Sequence, residues 1–384
     1  MLQIIRHHLL SETRRKLGKS PAVAILGARQ VGKTTLARQL AADYPAATFF
    51  DLERAADHQA LSRSAEMLLG QCRGLVVIDE VQRLPRLFET LRPLCDRNDS
   101  PARFLLLGSA SWDLVRGVSE TLAGRVQFVD MSGFSLAEVG GEHLSRLWLR
   151  GGFPAAFLAA SDADASEWHE AFARTFLERD IPGLGLNIAA ETLRRFWTML
   201  AHYHGQVWNA SRLAQSLGSK PATVNNYRDL LAGTFMVRVL PPWFENLGKR
   251  LVKSPKVYLR DSGILHGLLQ IGSTMQLAMH PLCGPSWEGF ALEQTLIAHG
   301  GRDAYFYATQ RGAELDLLLL RNGKRWGFEF KSADAPRTTR SMHVAAQDLQ
   351  LEHLWVVYPG ALRYSLTDAI TALPLAQISA VTLA

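Results

Sequence analysis

Between about Pro21 and Ser135, short and wholly apolar runs alternate with longer stretches whose apolar residues recur at helical spacing. The runs are AVAILG, ATFFDL, GLVVIDEV, RFLLLGSAS and VQFVDMSGFS. A strand that is apolar on both faces must be covered on both, so the alternation predicts an α/β layer built on a parallel sheet. From Gly140 to about Leu200 the period turns helical, as in EWHEAFARTFLERD, with breaks at GGFP and IPGLGLN. The segment ASRLAQSLGSKPATVNNYRDLL then predicts a helix ending at Gly218 and a tight turn. A second helix opens at Pro221, and the strand-like TFMVRVLPPW follows it. From about Ser286 one helix, SWEGFALEQTLIAHG, precedes the strand runs DAYFYAT, AELDLLLLR and RWGFEFKS. The last two are joined by a hairpin at Arg321-Asn322-Gly323-Lys324. The expected division is an α/β core over 1–140, a helical lid or linker over 141–195, a helix-turn-helix domain over 196–265, and a smaller α/β domain over 266–384.

Composition narrows the class. With 384 residues, 47% hydrophobic and 20% charged, neither a disordered nor a fibrous chain fits, and at about 150 residues per domain two or three domains are expected. The net charge of +6 allows a polyanionic partner without requiring one. Cys72, Cys95 and Cys283 lie far apart with no CxxC pair, and no histidine cluster has metal-ligand spacing, which excludes a disulfide framework and a zinc site. A reducing, cytoplasmic setting is expected. The opening MLQIIRHHLLSETRRKLG lacks a small-residue cleavage site, and no run reaches about 18 apolar residues, so neither a signal peptide nor a membrane partner is expected.

The run AVAIL leads directly into Gly27-Ala28-Arg29-Gln30-Val31-Gly32-Lys33-Thr34, then Thr35 and a helical pattern. This is GxxxxGK[ST] in its strand-to-helix setting. The glycines let backbone N–H groups turn toward a phosphate chain, the helix N-terminus adds positive potential, Lys33 reaches the β/γ-phosphates, and the Thr34 hydroxyl serves Mg2+. Downstream, LVVIDE ends an apolar strand in two acids. Asp79 can hold the magnesium, and Glu80 is placed to orient and deprotonate an attacking water. ATP and Mg2+ are therefore the expected cofactors.

On these motifs residues 1–140 resemble an AAA-type P-loop ATPase of the additional-strand, catalytic-glutamate class. The resemblance implies an extra strand between the P-loop strand and the Asp-Glu strand, for which RFLLLGSAS is the candidate. Ser109 or Ser111 at its end matches the first sensor. In ring-forming ATPases an arginine from the neighbouring subunit steadies the transferred phosphoryl group, and Arg125 in LAGRVQF, ahead of Arg116, is the candidate here. A homo-oligomer, most naturally a ring, is implied.

Near the C-terminus Glu288 lies on the helix, Asp316 in AELDLLLL, and Glu329 and Lys331 two apart in WGFEFKS, hence on one face of a strand. Three acids and a lysine converging could bind Mg2+ through Asp316 and Glu329 and assist phosphodiester cleavage. The order resembles the PD-(D/E)xK nuclease fold, including its junction-resolving members, with Glu288, Asp316, Glu329 and Lys331 as the catalytic set. No proline precedes Asp316, a departure that family tolerates. Over its whole length the chain also resembles the prokaryotic proteins that join such an ATPase to a DUF4143 domain. The shared motifs are VIDEVQRLP, GGFP, FLERDIPGL, YLRDSGI, WEGFALEQ and the ExDLLL-to-ExK pair.

The two helices around Gly218 resemble a winged helix-turn-helix. Its second helix offers Thr223, Asn225, Asn226 and Arg228, with Lys220 just ahead, as contacts to duplex DNA. Lys249, Arg250, Lys253, Lys256 and Arg260, interspersed with Trp243, Phe244 and Tyr258, form a basic and aromatic stretch suited to a nucleic-acid backbone. The combined expectation is a Mg2+-dependent ATPase acting as an oligomeric motor on, or regulated by, duplex or branched DNA. The alternative is a nucleotide-switched signalling or scaffold ATPase that recruits protein partners, its nuclease-like domain inert.

Overall fold

The computed structural model describes residues 4–97, 102–109, 121–183, 188–245, 251–310 and 312–384. They form two compact units, one running up to Gly133 with Gly233–Phe235, the other Phe134–Ala232 with Met236–Ala384.

All five apolar runs of the first unit become strands: β1 (Ala22–Leu26), β2 (Thr48–Asp51), β3 (Leu75–Asp79), β4 (Arg103–Gly108) and β5 (Val126–Asp130). They form one parallel sheet in the order β2-β3-β4-β1-β5. Every residue of β1 and Leu75–Ile78 of β3 are buried, as continuous apolar runs require. The helix Lys33–Ala41 buries Leu36, Ala37 and Leu40, and the helix Leu87–Cys95 buries Leu87, Phe88, Leu91 and Leu94. The last four join Ala24, Val76, Ile78, Phe104 and Leu106 in one core. Each fully buried leucine or phenylalanine contributes about 1.5–3 kcal/mol, which fixes the sheet firmly beneath its loops. The strand β4 lies between β1 and β3, as expected of RFLLLGSAS. Its register sets Gly108 opposite Leu26 and Leu106 opposite Ile78, so β1, β3 and β4 end at one edge of the sheet. Ligands of parallel α/β sheets bind at such carboxyl ends.

In the second unit, the helix Ala210–Leu217 is capped by Asn209, whose side chain accepts from the Arg212 N–H, and ends at Gly218 in the left-handed region; the helix Pro221–Gly233 follows. The strands β6 (Gln206–Val207), β7 (Val237–Leu240) and β8 (Lys256–Leu259) form an antiparallel sheet in the order β6-β8-β7. The helix Cys283–His299 leads to β9 (Ala304–Ala308), β10 (Glu314–Arg321), β11 (Lys324–Phe330), β12 (His353–Tyr358), β13 (Tyr364–Thr367) and β14 (Ile370–Pro374). These make a mixed sheet in the order β13-β14-β12-β11-β10-β9. The predicted hairpin between β10 and β11 turns at Asn322 and Gly323, both at positive φ, the pairing that a two-residue turn demands. The chain between β7 and β8 is stitched to β9: the Trp243 N–H donates to Phe306 O (2.7 Å), the Phe306 N–H to Pro241 O (3.0 Å), and the Val252 N–H to Ala308 O (3.0 Å). The start of β8 is thereby held beside the six-stranded sheet.

GGFP, YLRDSGI and WEGFALEQ lie inside this unit. Asp261 caps the helix Ser262–Leu268 by accepting from the Ile264 N–H (2.9 Å), and its other oxygen accepts from the Gly152 N–H of GGFP (2.8 Å). Glu293 of WEGFALEQ, 4% exposed, receives Arg260 (3.2 Å) and Arg238, whose Nη2 is 2.9 Å from Oε2. Burial of Glu293 alone would favour its neutral form, but the two guanidinium groups outweigh that and hold its pKa below the ordinary value. No helix among the described residues is long and apolar enough to cross a membrane.

Candidate active site

At the carboxyl edge of the first sheet the P-loop closes around Lys33. Gly27 approaches the backbone so closely that a Cβ there would lie 2.1 Å from Met131 O, and Gly32 takes φ 96°, a conformation glycine accepts without strain. Both glycines are thus demanded by the loop. Lys33 is 5% exposed, and its Nζ donates to Gly27 O (3.0 Å) and Ala28 O (2.8 Å), pointing into the loop. Ala28 is buried, Arg29 pairs with Glu53 (2.6 Å), and Gln30, Thr34 and Thr35 face solvent at the opening, with Val31 buried behind them.

The Thr34 hydroxyl, on the helix Lys33–Ala41, donates to Asp79 Oδ2 at the end of β3 (2.6 Å), so the two residues expected to serve the metal are in direct contact. Asp79 Oδ1 accepts from the Glu80 N–H (2.9 Å). Burial of Asp79, reinforced by the charge of Glu80, raises its pKa above the ordinary carboxylate value against the opposing Thr34 hydrogen bond. A cation at this point would relieve that penalty, and the hydroxyl-carboxylate pair suits a hard divalent ion such as Mg2+. The P-loop and these two oxygens therefore fit a nucleotide with its metal.

Glu80 is held in the left-handed region at φ 53°, ψ 44°. Such strain in a residue bearing a side chain costs about 1–2 kcal/mol and is a mark of functional sites. Its Oε2 accepts from Gln82 Nε2 and from the Ser109 hydroxyl (3.3 Å), while Gln82 Nε2 also reaches Ser109 Oγ (2.9 Å). Ser109 thus meets Glu80. Gln82 is the residue sequence reasoning missed. Its signal was its place two residues beyond Glu80, but only the tight turn Val81–Arg83 folds it back. Arg125 makes a two-pronged ion pair with Asp96 of its own chain (2.6 and 2.8 Å) and donates to Ala123 O (2.8 Å). Ser111, Arg116, Lys249 and Arg250 lie outside the described residues.

The C-terminal acids do converge, with company the sequence had assigned elsewhere. Asp316 Oδ2 accepts from the Phe330 N–H (3.0 Å), and Lys331 Nζ donates to Glu329 Oε1 (2.7 Å). Glu288 Oε1 accepts from the Tyr258 hydroxyl (2.6 Å) and from Lys256 Nζ (3.1 Å). Burial, and then the charge of Glu288 on Asp316 and of Asp316 on Glu329, push both acids above the ordinary carboxylate range. This corrects the reading of the basic and aromatic stretch in part: Lys256 and Tyr258 are buried and Arg260 is bound to Glu293, while Phe244 and Lys253 are exposed. All of β8 is buried, so Lys256, Tyr258 and the paired Arg260 form no solvent-facing strip for a nucleic acid. The nuclease-like set also does not fit a divalent metal here. Glu288 Oε1, Asp316 Oδ2 and Glu329 Oε1 already serve N–H and O–H donors, and no group of three or more His, Cys, Asp or Glu among the described residues is arranged to hold a metal ion.

On the helix-turn-helix, Lys220 and Asn226 are exposed. Asn225 instead accepts from Trp208 Nε1 (2.8 Å), and Arg228 pairs with Asp229 (2.7 Å) beneath the Trp208 ring.

The chain matches the family described as an AAA domain over residues 19–140. Residues 141–275 match a domain of unknown function, DUF8612, and residues 283–378 another, DUF4143. The uncharacterized proteins Rv2008c of Mycobacterium tuberculosis and Mb2031c of Mycobacterium bovis are each 47% identical to it over 375 residues, covering 98% of this chain and 85% of theirs. Among solved structures, the Walker-type ATPase PABY2304 of Pyrococcus abyssi is similar with a TM-score of 0.49 and 14% identity, over 70% of this chain and 96% of that one. A likeness this slight carries no weight for function.

Proposed function

The chain belongs to the family of AAA-domain proteins that carry a C-terminal DUF4143 domain and is an AAA-type ATPase, and on that premise we propose that its hydrolysis depends on Mg2+ and drives work on DNA in an oligomer. The observation that carries the hydrolytic part is the direct Thr34–Asp79 contact beside a buried Lys33 and a strained, clamped Glu80. Bound nucleotide with its magnesium would supply the phosphoryl group to be transferred and a centre of positive charge.

The chain's own residues divide the remaining labour. Lys33 gives up its two loop carbonyls to neutralise phosphate oxygens. Thr34 and Asp79 hold the metal, while Glu80 orients a water and takes its proton. Ser109 and Gln82 hold the Glu80 carboxylate in position for that step. Arg125 is the candidate for a guanidinium supplied to a neighbouring subunit, and to act there it must leave Asp96.

DNA contact rests on the exposed Lys220 and Asn226 beside a helix-turn-helix, on Thr223, and on the positive net charge. Cleavage of DNA is not part of this reading. The engagement of Asn225 and Arg228 with Trp208 and Asp229 favours a second reading, in which the nucleotide state controls binding to a protein partner. Measuring ATP turnover with duplex, forked and four-way-junction DNA, at about 50 and 200 mM salt, separates the two, because phosphate contacts weaken steeply with salt. Stimulation that fades with salt is expected. Turnover and gel mobility indifferent to all three DNAs would sink the DNA reading, whereas Lys33→Ala with undiminished turnover would sink the ATPase site itself.

A further inference from the structure

The acid cluster on β10 and β11 already contains a cation. Lys256, the first residue of β8, is 4% exposed, with its Nζ 3.1 Å from Glu288 Oε1, 2.5 Å from Glu314 Oε1 and 3.6 Å from Asp316 Oδ1. The helix Cys283–His299 contributes one of these carboxylates, and two positions on one face of β10 contribute the others. The fourth acid, Glu329, is neutralised by Lys331.

A magnesium or manganese ion in this place would need several oxygen lone pairs in near-octahedral array at about 2.0–2.1 Å. Here Glu288 Oε1 serves both Tyr258 and Lys256, Asp316 Oδ2 serves a backbone N–H, and Glu329 Oε1 serves Lys331. Glu329 Oε2 is buried without a hydrogen-bond partner, the mark of a carboxyl site one donor short of completion. Lys256 is also not free to swing away. The strand β8 is paired on both sides, Lys256 standing opposite Leu240 of β7 and Val207 of β6, and the Phe306 ring centroid lies 5.7 Å from the ammonium. Removing the ammonium would leave the buried Asp316 without its cation, which is far costlier than losing an exposed pair. Burial on its own would depress the lysine's pKa, but Tyr258, Glu288, Asp316 and Glu314 more than reverse this and keep it well above the ordinary value.

We propose that Lys256 is the resident cation of this cluster, its ammonium standing where a nuclease-like site would hold a divalent metal, so that the C-terminal domain neither loads metal nor cuts DNA while β8 is in place. The strand that completes the three-stranded sheet therefore also closes the carboxyl site. The inference is independent of the nucleotide chemistry of the first unit.

Mn2+ titration of the full, nucleotide-free chain, with the free ion counted by electron paramagnetic resonance, tests it. The wild type is expected to show no Mn2+ uptake that Asp316→Asn removes. Lys256→Met is expected to gain one site, about tenfold or more tighter than any in the wild type, and to lose it when Asp316→Asn is added. Lys256→Arg, which keeps the charge, stays like the wild type. Circular dichroism and cooperative melting establish that each variant is folded, and Lys256→Gln repeats the test should the methionine variant fail to fold. A wild-type Mn2+ site abolished by Asp316→Asn overturns the proposal, and so does a folded, charge-neutral Lys256 variant that gains no site.

Discussion

Single side chains decide how this ATPase site is poised. Lys33 rests on the carbonyls of Gly27 and Ala28, so its loss removes charge from a loop that otherwise keeps its shape. Gln82 carries no charge, but it ties Glu80 to Ser109. If the tie positions the base, Gln82→Ala should lower kcat about three- to tenfold while leaving nucleotide affinity nearly unchanged, the size expected for one hydrogen bond. Glu80→Gln should cost about 100-fold or more in kcat with ATP still bound, since it removes the proton acceptor and little else. Rapid-quench turnover beside equilibrium binding of a fluorescent nucleotide reads both parameters. Equal losses in affinity and rate would show these residues to be structural.

Among the elements, those built from local signals contrast with those that rely on partners across the chain. The helix Ser262–Leu268 begins on Asp261 and carries His266 into the interior. There Nδ1–H donates to Leu149 O (2.9 Å), and Nε2 accepts from the Ser286 hydroxyl (2.7 Å), itself the acceptor for Trp148 Nε1 (3.0 Å). That chain of bonds requires a neutral ring, and burial lowers the His266 pKa from 6.5 to about 4. Between these values the unfolded chain binds the proton and the folded one does not, so the stabilisation is full above pH 6.5 and is lost as pH falls toward 4. Its size is on the order of 3 kcal/mol. Urea unfolding at pH 7 and pH 5 should show the loss, and His266→Asn should flatten that part of the pH slope. An unchanged slope in the variant would place the titration elsewhere.

For the whole molecule, the proposed oligomer gives Arg125 a role that no single chain displays. Arg125→Ala should lower kcat more than nucleotide affinity, and mixing it with wild-type protein should depress turnover below the weighted mean if the residue acts on a neighbour. Sedimentation velocity with a non-hydrolysable ATP analogue checks the assembly itself. Strictly additive activity in the mixtures would confine Arg125 to its pair with Asp96.

The place of β4 came with the family resemblance, while local patterning was enough for the α/β class, the P-loop and its acids, the helix-turn-helix order and the β10–β11 hairpin. Each depends on periodicity, on glycine or proline at a turn, or on a strand leading directly into a motif. Pairings between distant segments were not legible. No spacing announces that Lys256 will enter a cluster with Glu288, Glu314 and Asp316, that Gln82 will reach Ser109, or that Asn225 will turn to Trp208. A charged residue written in a basic run looks solvated, because charge is ordinarily left in water. Pairing on both sides of β8 and the stitching of the chain after β7 to β9 turned this one inward, and opposite charges from the helix Cys283–His299 and from β10 made its burial stable.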